Sequence, residues 1–315
     1  MTAPTRPDAR RNASPYLYGP EGEAVARILG DGQYGHTSVT EEFERRIADF
    51  LGIPDAVALS SGTAALHTAL LSAGTGPGDE VIVPSMTFCA TIQAILTVGA
   101  TPRFIDIDPA TLCVTDQLAM DTVTDTTAAV IPVLFGGRPV DLSAVQEEVD
   151  ERGIVVIEDA AHAFGSHHGT RRVGANGALT CFSFGPIKNL TCGQGGMLIP
   201  RTPEEADTIR RLRLLGVVQS QGERANITSY RVDGFGLRYQ LSALNAAIGL
   251  VQLDHFTYPP NHLQPAFAAW RRWLPATERA GEEILSLPFH QPLTETDIHL
   301  VVTALGQALK SAGGS

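Results

Sequence analysis

The sequence predicts an α/β protein whose main domain has three layers, α/β/α, with helices on both sides of a mostly parallel sheet. Short apolar runs alternate with helical segments from about residue 50 to about residue 250. The runs are almost continuously apolar, which is typical of strands that are covered on both faces of a sheet. At 315 residues, the chain is long enough for one large domain and one smaller domain.

Seven apolar runs, separated by turn residues and helices, are the candidate strands. In chain order they are AVALS (56–60), DEVIVPS (79–85), RFIDI (103–107), AAVIPVLF (128–135), IVVIED (154–159), LTCFSF (179–184) and GMLIP (196–200). Four segments between or after these runs are the candidate helices: GTAALHTALLSAG (62–74), CATIQAILTVG (89–99), LSAVQEEVDERG (142–153) and PEEADTIRRLRLLG (203–216). From about residue 255 this alternation stops.

Composition argues against several classes of function. The formal net charge is −11 and no run of Lys or Arg exceeds a pair, which argues against nucleic acid or an anionic membrane as a partner. No apolar stretch approaches the roughly 18 residues that cross a bilayer, and the polar N-terminus does not resemble a secretory signal. The four cysteines, Cys89, Cys113, Cys181 and Cys192, form no CxxC motif or Cys/His cluster. We therefore expect a cytoplasmic protein with reduced thiols, no disulfide and no metal site.

One isolated lysine is the first candidate for chemistry. Lys188 is the single cation in the stretch CFSFGPIKNLTCGQGGMLI, residues 181–199, which is otherwise apolar or rich in glycine. A salt-bridging lysine normally lies among other charges, so Lys188 either extends out of a core or is kept for its amine. Partial burial away from carboxylates lowers the pKa of an amine, which suits a nucleophile and proton carrier.

Polar and aromatic side chains follow three of the predicted strands, where ligands bind in such sheets. Ser61-Gly62-Thr63 stands between a strand and a helix, and is either an anion site of backbone N–H groups or an ordinary helix cap. Asp159, after Glu158 at the end of an apolar strand, is either a helix cap or a buried anion that needs a cation or a strong donor. Phe88 either covers a flat ring or belongs to the core.

Together these features fit pyridoxal 5′-phosphate (PLP). A lysine would hold the aldehyde as a Schiff base, and a carboxylate would keep the pyridine nitrogen protonated so that the ring draws electrons from a carbanion. The helix start would bind the phosphate, and the aromatic ring would stack on the pyridine. We interpret three histidines as structural: His67, one turn into a helix, and His167-His168 in a loop.

The ordered motifs SGTAAL, PSMTF, IEDAAHAFGS, FSFGPIKN, GQGGM and RYQLSALNAAIGLVQL resemble the DegT-type sugar aminotransferases, a PLP-dependent family of fold-type I. The resemblance runs from about Tyr18 through Leu253. It implies a homodimer with active sites at the subunit interface. It also implies transfer of an amino group, usually from glutamate, to a keto group of a nucleotide-linked deoxysugar or, in some relatives, of a cyclitol.

The resemblance also implies individual roles. Lys188 matches the Schiff-base lysine, Asp159 the partner of the pyridine nitrogen, and His162 a residue near the phenolic oxygen of the cofactor. Arg238 falls where many members carry an asparagine that reaches the phosphate of the neighbouring subunit's cofactor, and an arginine could bind that phosphate in a bidentate manner. The other positions that match cofactor-binding residues are Phe88 for ring stacking, and Gly62, Thr63, Ala64 and Ser183 for the phosphate.

Three features separate this chain from parts of the family. Dehydratase relatives replace the lysine by histidine, so Lys188 favours transamination. Gln194 replaces the usual glutamate before a Gly-Gly pair. Several tens of residues are missing between Phe256 and Tyr258, which predicts a PLP-binding large domain at 1–254, with an N-terminal arm, and a truncated α+β small domain at 255–315. Two alternatives remain open: a catalytically impaired homologue that acts as a dimer partner, and a PLP-dependent keto-sugar dehydratase.

Overall fold

A computed structural model describes residues 15, 17–32, 34–219 and 228–256 of the chain. The predicted small domain at 255–315 therefore lies outside the described residues, apart from its first two positions. None of the helices formed by the described residues combines the length and the apolar composition that a membrane crossing needs.

A seven-stranded sheet forms the centre of the described residues. The described residues form nine strands, and all of them except β6 and β7 belong to this sheet. In chain order they are β1 (Val57–Leu59), β2 (Glu80–Pro84), β3 (Thr101–Ile105), β4 (Thr127–Val130), β5 (Val155–Asp159), β6 (His167–His168), β7 (Arg171–Arg172), β8 (Leu179–Ser183) and β9 (Gly196–Ile199). The order across the sheet is β1-β9-β8-β5-β4-β2-β3, while β6 and β7 form a separate hairpin. β9 is antiparallel to β1 and β8, and the other neighbours are parallel.

Eight α-helices of the described residues connect and cover these strands. They are α1 (Glu21–Asp31), α2 (Ser38–Leu51), α3 (Gly62–Ser72), α4 (Cys89–Thr97), α5 (Asp116–Thr122), α6 (Gln146–Glu151), α7 (Pro203–Arg213) and α8 (Ala243–Phe256). Side-chain oxygens cap several of them: the hydroxyl of Ser61 caps α3, that of Thr115 caps α5 and that of Thr202 caps α7.

Two hydrophobic cores lie on opposite faces of the sheet, because alternate residues of a strand point to opposite faces. In β2, Val81 and Val83 join the core formed with α3, α4 and α7, whereas Ile82 joins the core formed with α2, α5, α6 and α8. The predicted three-layer, mostly parallel architecture is therefore confirmed. Each of the seven predicted strands overlaps one strand of the large sheet, although β3 and β4 begin before the predicted runs, and the four predicted helices are present with shorter bounds.

A cluster of phenylalanine rings packs the loop after β5 against α2 and α8. The ring of Phe164 lies 5.2 Å from that of Phe50 and 5.1 Å from that of Phe256, measured between centroids. Gly165 makes this packing possible, since a Cβ there would lie 2.7 Å from the ring of Phe256. The last residue of α8 is thus fitted against the loop that follows Asp159.

A buried ion pair fixes the edge strand β1. The carboxylate of Glu44 on α2 accepts from Arg213 at the end of α7 and from the backbone N–H of Ala58, at 2.8 Å. Arg213 also donates to the carbonyl of Ala58 at 2.8 Å. Glu44 and Arg213 thus bind the N–H and the carbonyl of Ala58, the two backbone groups of that residue that face away from β9. In this way they cover the edge of the sheet at β1.

Candidate active site

A cleft of about 690 Å³ opens where β2, β5 and β8 end. Its walls come from the start of α3, the segment before α4, the loop after β5 and the segment after β8. Seven of the predicted site residues line this cleft: Gly62, Thr63, Phe88, Asp159, His162, Ser183 and Lys188. A second cavity of about 730 Å³ lies beside α2 and α7 and is lined by arginine–carboxylate pairs such as Arg210–Asp55.

Asp159 is the last residue of β5, and only 6% of its surface is exposed. Its Oδ2 accepts from the hydroxyl of Thr91 at 2.7 Å, and its Oδ1 accepts from the backbone N–H of Ala161 at 3.2 Å. Burial raises the pKa of Asp159, while these two donors and Lys188 counteract that rise. No helix begins after β5, so the capping interpretation is wrong and the expected strong donors are found.

Lys188 lies in a turn after β8 and is half-buried in the same cleft as Asp159. Its backbone N–H donates to the carbonyl of Gly185 at 3.2 Å, which holds the turn. Burial lowers the pKa of its amine, and the negative charge of Asp159 partly offsets this. A larger fraction of the amine is therefore neutral near pH 7 than for an exposed lysine.

The start of α3 forms the other end of the cleft. The hydroxyl of Ser61 accepts from the N–H of Ala64 at 3.0 Å, so this serine is a true helix cap. Gly62 and Thr63 follow the cap, and the first N–H groups of a helix have no partner within it. Their N–H groups and the positive end of the helix make this turn suited to an anion. The helix-cap interpretation of the Ser-Gly-Thr sequence is therefore confirmed, and the anion site stays a prediction.

Two glycines allow the backbone at this turn to be packed closely. A Cβ on Gly62 would lie 2.7 Å from the Cβ of Ser183 at the end of β8. A Cβ on Gly196 would lie 2.5 Å from the carbonyl carbon of Ser61 and 2.7 Å from the nitrogen of Gly62. Strands β8 and β9 thus press against the peptide that begins α3, and only glycine fits at either contact.

His162 and Phe88 form the more open walls. Phe88 is 75% exposed, so it is not a core residue. The ring of His162 lies 6.0 Å from that of Phe135, and partial burial together with the charge of Lys188 lowers its pKa. The side-chain amide of Asn189 approaches the carbonyls of His162 and Phe164 at 3.4 Å, which ties the Lys188 turn to the loop after Asp159.

The structure does not bring two of the predicted residues into the cleft. Ala64 is buried behind the turn, and its N–H is used by the cap. Arg238 is exposed outside the cleft, and its backbone pairs with Leu214. The roles predicted for both residues stay predictions. His67, expected at the edge of the core, is buried on α3, and its Nδ1 lies 3.0 Å from the hydroxyl of Tyr239.

The region has three further features. Gln194, already noted for replacing a glutamate, lines the cleft together with Thr87 and Thr91, which sequence reasoning missed because threonine is ordinary just before or at the start of a helix. His168, predicted in a loop, lies on β6, and its Nε2 is 3.5 Å from Oδ2 of Asp141. Within the described ranges, no group of three or more His, Cys, Asp or Glu side chains could hold a metal ion, and all four cysteines are free.

Solved structures with the same fold include proteins described as sugar aminotransferases. Spr1654 from Streptococcus pneumoniae, a putative sugar aminotransferase, has been solved in apo, PLP and PMP forms. Its apo form is 30% identical to this chain, with a TM-score of 0.72, and the match covers 79% of this chain and 67% of Spr1654. AtS13 from Actinomadura melliaura is 32% identical, with a TM-score of 0.74 over 80% and 69% of the two chains. DesV of S. venezuelae, solved in complex with a ketimine intermediate, is 28% identical, with a TM-score of 0.74 over 92% and 94%.

A family model matches residues 18–258, which is well over half of the chain. This range includes the whole sheet and every residue of the cleft. The resemblance predicted from the motifs, and the fold-type I architecture that it implied, are thereby confirmed. The chain belongs to the DegT/DnrJ/EryC1/StrS aminotransferase family.

Proposed function

We propose that this protein is a PLP-dependent aminotransferase that moves an amino group from glutamate to a keto group of a nucleotide-linked deoxysugar or of a cyclitol, in amino-sugar or antibiotic biosynthesis. The observation that carries the proposal is the presence, in one cleft, of a half-buried amine with a lowered pKa, a buried carboxylate and a helix start suited to an anion. Spr1654 supports the sugar substrate class, since it is described as a putative sugar aminotransferase.

The residues of the cleft fit the phosphate and the ring nitrogen of PLP. The N–H groups of Gly62 and Thr63, with the hydroxyl of Ser183 beside them, can bind the phosphate. Each carboxylate oxygen of Asp159 accepts one hydrogen bond from the protein, which leaves acceptor capacity for a protonated ring nitrogen. When bound, PLP supplies an aldehyde that takes up an amino group and a ring that withdraws electrons from the reacting carbon.

The chain's own contribution is to hold charges and to move a proton. Asp159, ionised and buried, stabilises a positive charge on the group that it faces far better than a solvated carboxylate would. The Nζ atom of Lys188, with its lowered pKa, can attack a carbonyl carbon and, once free, can take and return a proton. Phe88 and His162 limit access of water from the open sides.

The homodimer is proposed on two observations. Large apolar side chains are exposed in the cleft, Phe88 at 75% and Ile187 at 60%, and elsewhere on the surface, such as Phe235 at 69%. Exposed apolar surface of this kind marks interaction sites. Arg238 is exposed outside its own cleft, as expected for a residue that reaches the cofactor of a second subunit.

The test uses an unusual property of the sequence, which contains only two lysines, Lys188 and Lys310. After incubation with PLP, borohydride reduction followed by peptide mapping is expected to label Lys188. The Lys188→Arg variant should lose the label and the visible absorbance band, whereas Lys310→Arg should keep both. Labelling that persists in Lys188→Arg would refute the assignment.

The same sample separates transamination from the alternatives. Added glutamate should shift the visible absorbance of the wild-type protein, and a panel of nucleotide keto-sugars and keto-cyclitols should then yield an aminated product identified by mass. A band that does not respond to glutamate would favour the impaired homologue or the dehydratase. A dehydrated product in place of an aminated one would identify the dehydratase.

A further inference from the structure

Thr91 makes the shortest hydrogen bond to the carboxylate of the cleft. It lies in the first turn of α4, and its side chain is fully buried. Its Oγ1 lies 2.7 Å from Oδ2 of Asp159, which is 68 residues away in the chain. The second donor to Asp159, the backbone N–H of Ala161, is longer at 3.2 Å.

The hydroxyl of Thr91 donates this hydrogen bond to Oδ2 of Asp159. A threonine hydroxyl has a single proton, which is therefore used in this bond. The carbonyl of Phe88 lies farther from the hydroxyl, at 3.2 Å. The hydroxyl of Thr87, at 2.7 Å, then donates to Thr91. The chain of donors from Thr87 through Thr91 to Asp159 favours the ionised carboxylate, since each donor strengthens the next.

We propose that Thr91 is a positioning residue, supported by Thr87, that keeps the Asp159 carboxylate ionised and oriented toward the ring nitrogen of the cofactor. This inference rests on the proposed function. The segment before α4 that carries Thr87 also carries Phe88. The segment 87–91 would therefore both orient the carboxylate of Asp159 and present the ring of Phe88 to the cofactor.

The chain contains a matched control for this interaction. Glu158 precedes Asp159 on β5, is also buried, and accepts from the hydroxyl of Thr180 at 2.7 Å. Burial raises the pKa of Glu158 as it does that of Asp159. Glu158 and Thr180 do not line the cleft. Loss of the Thr180 hydroxyl should thus cost similar stability without affecting the cofactor site.

The first experiment titrates Asp159 in the cofactor-free protein by NMR, with [4-¹³C]aspartate labelling and assignment from the Asp159→Asn variant. The titratable groups that face Asp159 are Lys188, His162 and the thiol of Cys181, and they are unchanged in each variant. Thr91→Val should raise the pKa of Asp159 by about one to two pH units, because a hydrogen bond to a charged group is lost. Thr91→Ser should restore the wild-type value, and Thr180→Val should leave it unchanged.

The second experiment measures the loaded enzyme. Thr91→Val should slow the reaction with glutamate by about tenfold or more, as the ring nitrogen loses part of its proton, and Thr91→Ser should recover most of that loss. Thr180→Val should match the wild-type rate. If Thr91→Val does not fold, Thr87→Val, which leaves Thr91 in place, should give a smaller rise in the pKa of Asp159.

The outcomes distinguish the two proposals. A wild-type protein that is labelled at Lys188, with an Asp159 titration that is the same in Thr91→Val, would overturn the positioning role and leave the aminotransferase function intact. A wild-type protein that takes up no label at Lys188 would overturn the function, and with it the role of Thr91 toward the cofactor. Equal effects of Thr91→Val and Thr180→Val on the glutamate rate would show a merely structural role and also overturn the inference.

Discussion

Replacing Gly196 by alanine tests whether the contact between β9 and the start of α3 shapes the anion-binding turn. The new Cβ would lie 2.7 Å from the nitrogen of Gly62 and closer still to the carbonyl oxygen of Ser61. To reach an ordinary contact of 3.4 Å, the Ser61–Gly62 peptide must move away by about 0.7 Å at the nitrogen of Gly62 and by more at the carbonyl oxygen of Ser61. Backbone atoms on both sides of the contact belong to regular elements, so neither can yield without distortion.

Two effects of Gly196→Ala follow from this displacement. Overpacking should lower the free energy of unfolding by about 1–3 kcal/mol. The displaced N–H groups should also weaken phosphate binding, since a misplacement approaching 1 Å costs up to about 100-fold. We expect the dissociation constant for PLP to rise by about 10- to 100-fold. Urea denaturation of the cofactor-free protein measures the first effect, and absorbance titration with PLP measures the second.

Gly30→Ala serves as the control, because Gly30 lies within α1 and a Cβ there meets no atom within 4 Å. Alanine is a better helix former than glycine, so this variant should be more stable by about 0.5–1 kcal/mol, with unchanged affinity for PLP. A Gly196→Ala protein that binds PLP as tightly as the wild type would refute the argument that this contact positions the turn.

Three further predictions concern charges. Burial raises the pKa of Asp159 in the folded state, so the ionised carboxylate lowers the free energy of unfolding. The cofactor-free Asp159→Asn protein should therefore need more urea to unfold than the wild type at pH 7. The difference should vanish below about pH 4, where Asp159 is protonated in both states. Glu44→Ala leaves Arg213 buried without its carboxylate, so urea denaturation should show a loss of about 3–5 kcal/mol, and a loss below about 1 kcal/mol would contradict the buried pair. Gln194→Glu adds a second carboxylate to the cleft that holds Lys188. A nearby negative charge raises the pKa of an amine, so the pH midpoint for attachment of PLP should rise by about one unit. An unchanged midpoint would show that the two side chains are too far apart to interact.

The strands of the large sheet could be predicted because burial on both faces makes their sequences largely apolar. The ends of the strands could not be predicted in the same way. The run 128–135 was predicted as one strand, but β4 ends at Val130, since Pro132 has no N–H to donate to a ladder. The antiparallel direction of β9 was also beyond local reasoning, because it depends on pairing with β1, more than 100 residues earlier in the chain.

Helices α1 and α2 fall outside the predicted α/β region, although their signal is present in the sequence. Phe43, Ile47 and Leu51 recur at four-residue spacing and are all buried on α2, as expected for one face of a helix. Thr37 is the cap that precedes them. α2 packs on the face of the sheet opposite α3, and α1 packs on α8, which the alternation of strands alone does not reveal.

The candidate site could be predicted where a residue is chemically out of place in its local sequence. Lys188 among apolar residues and Asp159 at the end of an apolar strand are of this kind, and both line the cleft. Thr91 is not, because threonine is ordinary at the start of a helix. Its significance comes from the order β5-β4-β2, which brings the segment after β2 next to the end of β5.

The fit of Phe256 against Gly165 bears on how this protein could be recombined with its relatives. The ring fills the space that a side chain at 165 would need, and the positive φ of Gly165 (+88°) disfavours any other residue there, so relatives with phenylalanine at 256 should keep glycine at 165. A chimaera that grafts a different C-terminal region onto this sheet should keep phenylalanine at 256 and be joined after it. A junction placed even one residue earlier would remove the ring that secures the loop beside the reactive groups.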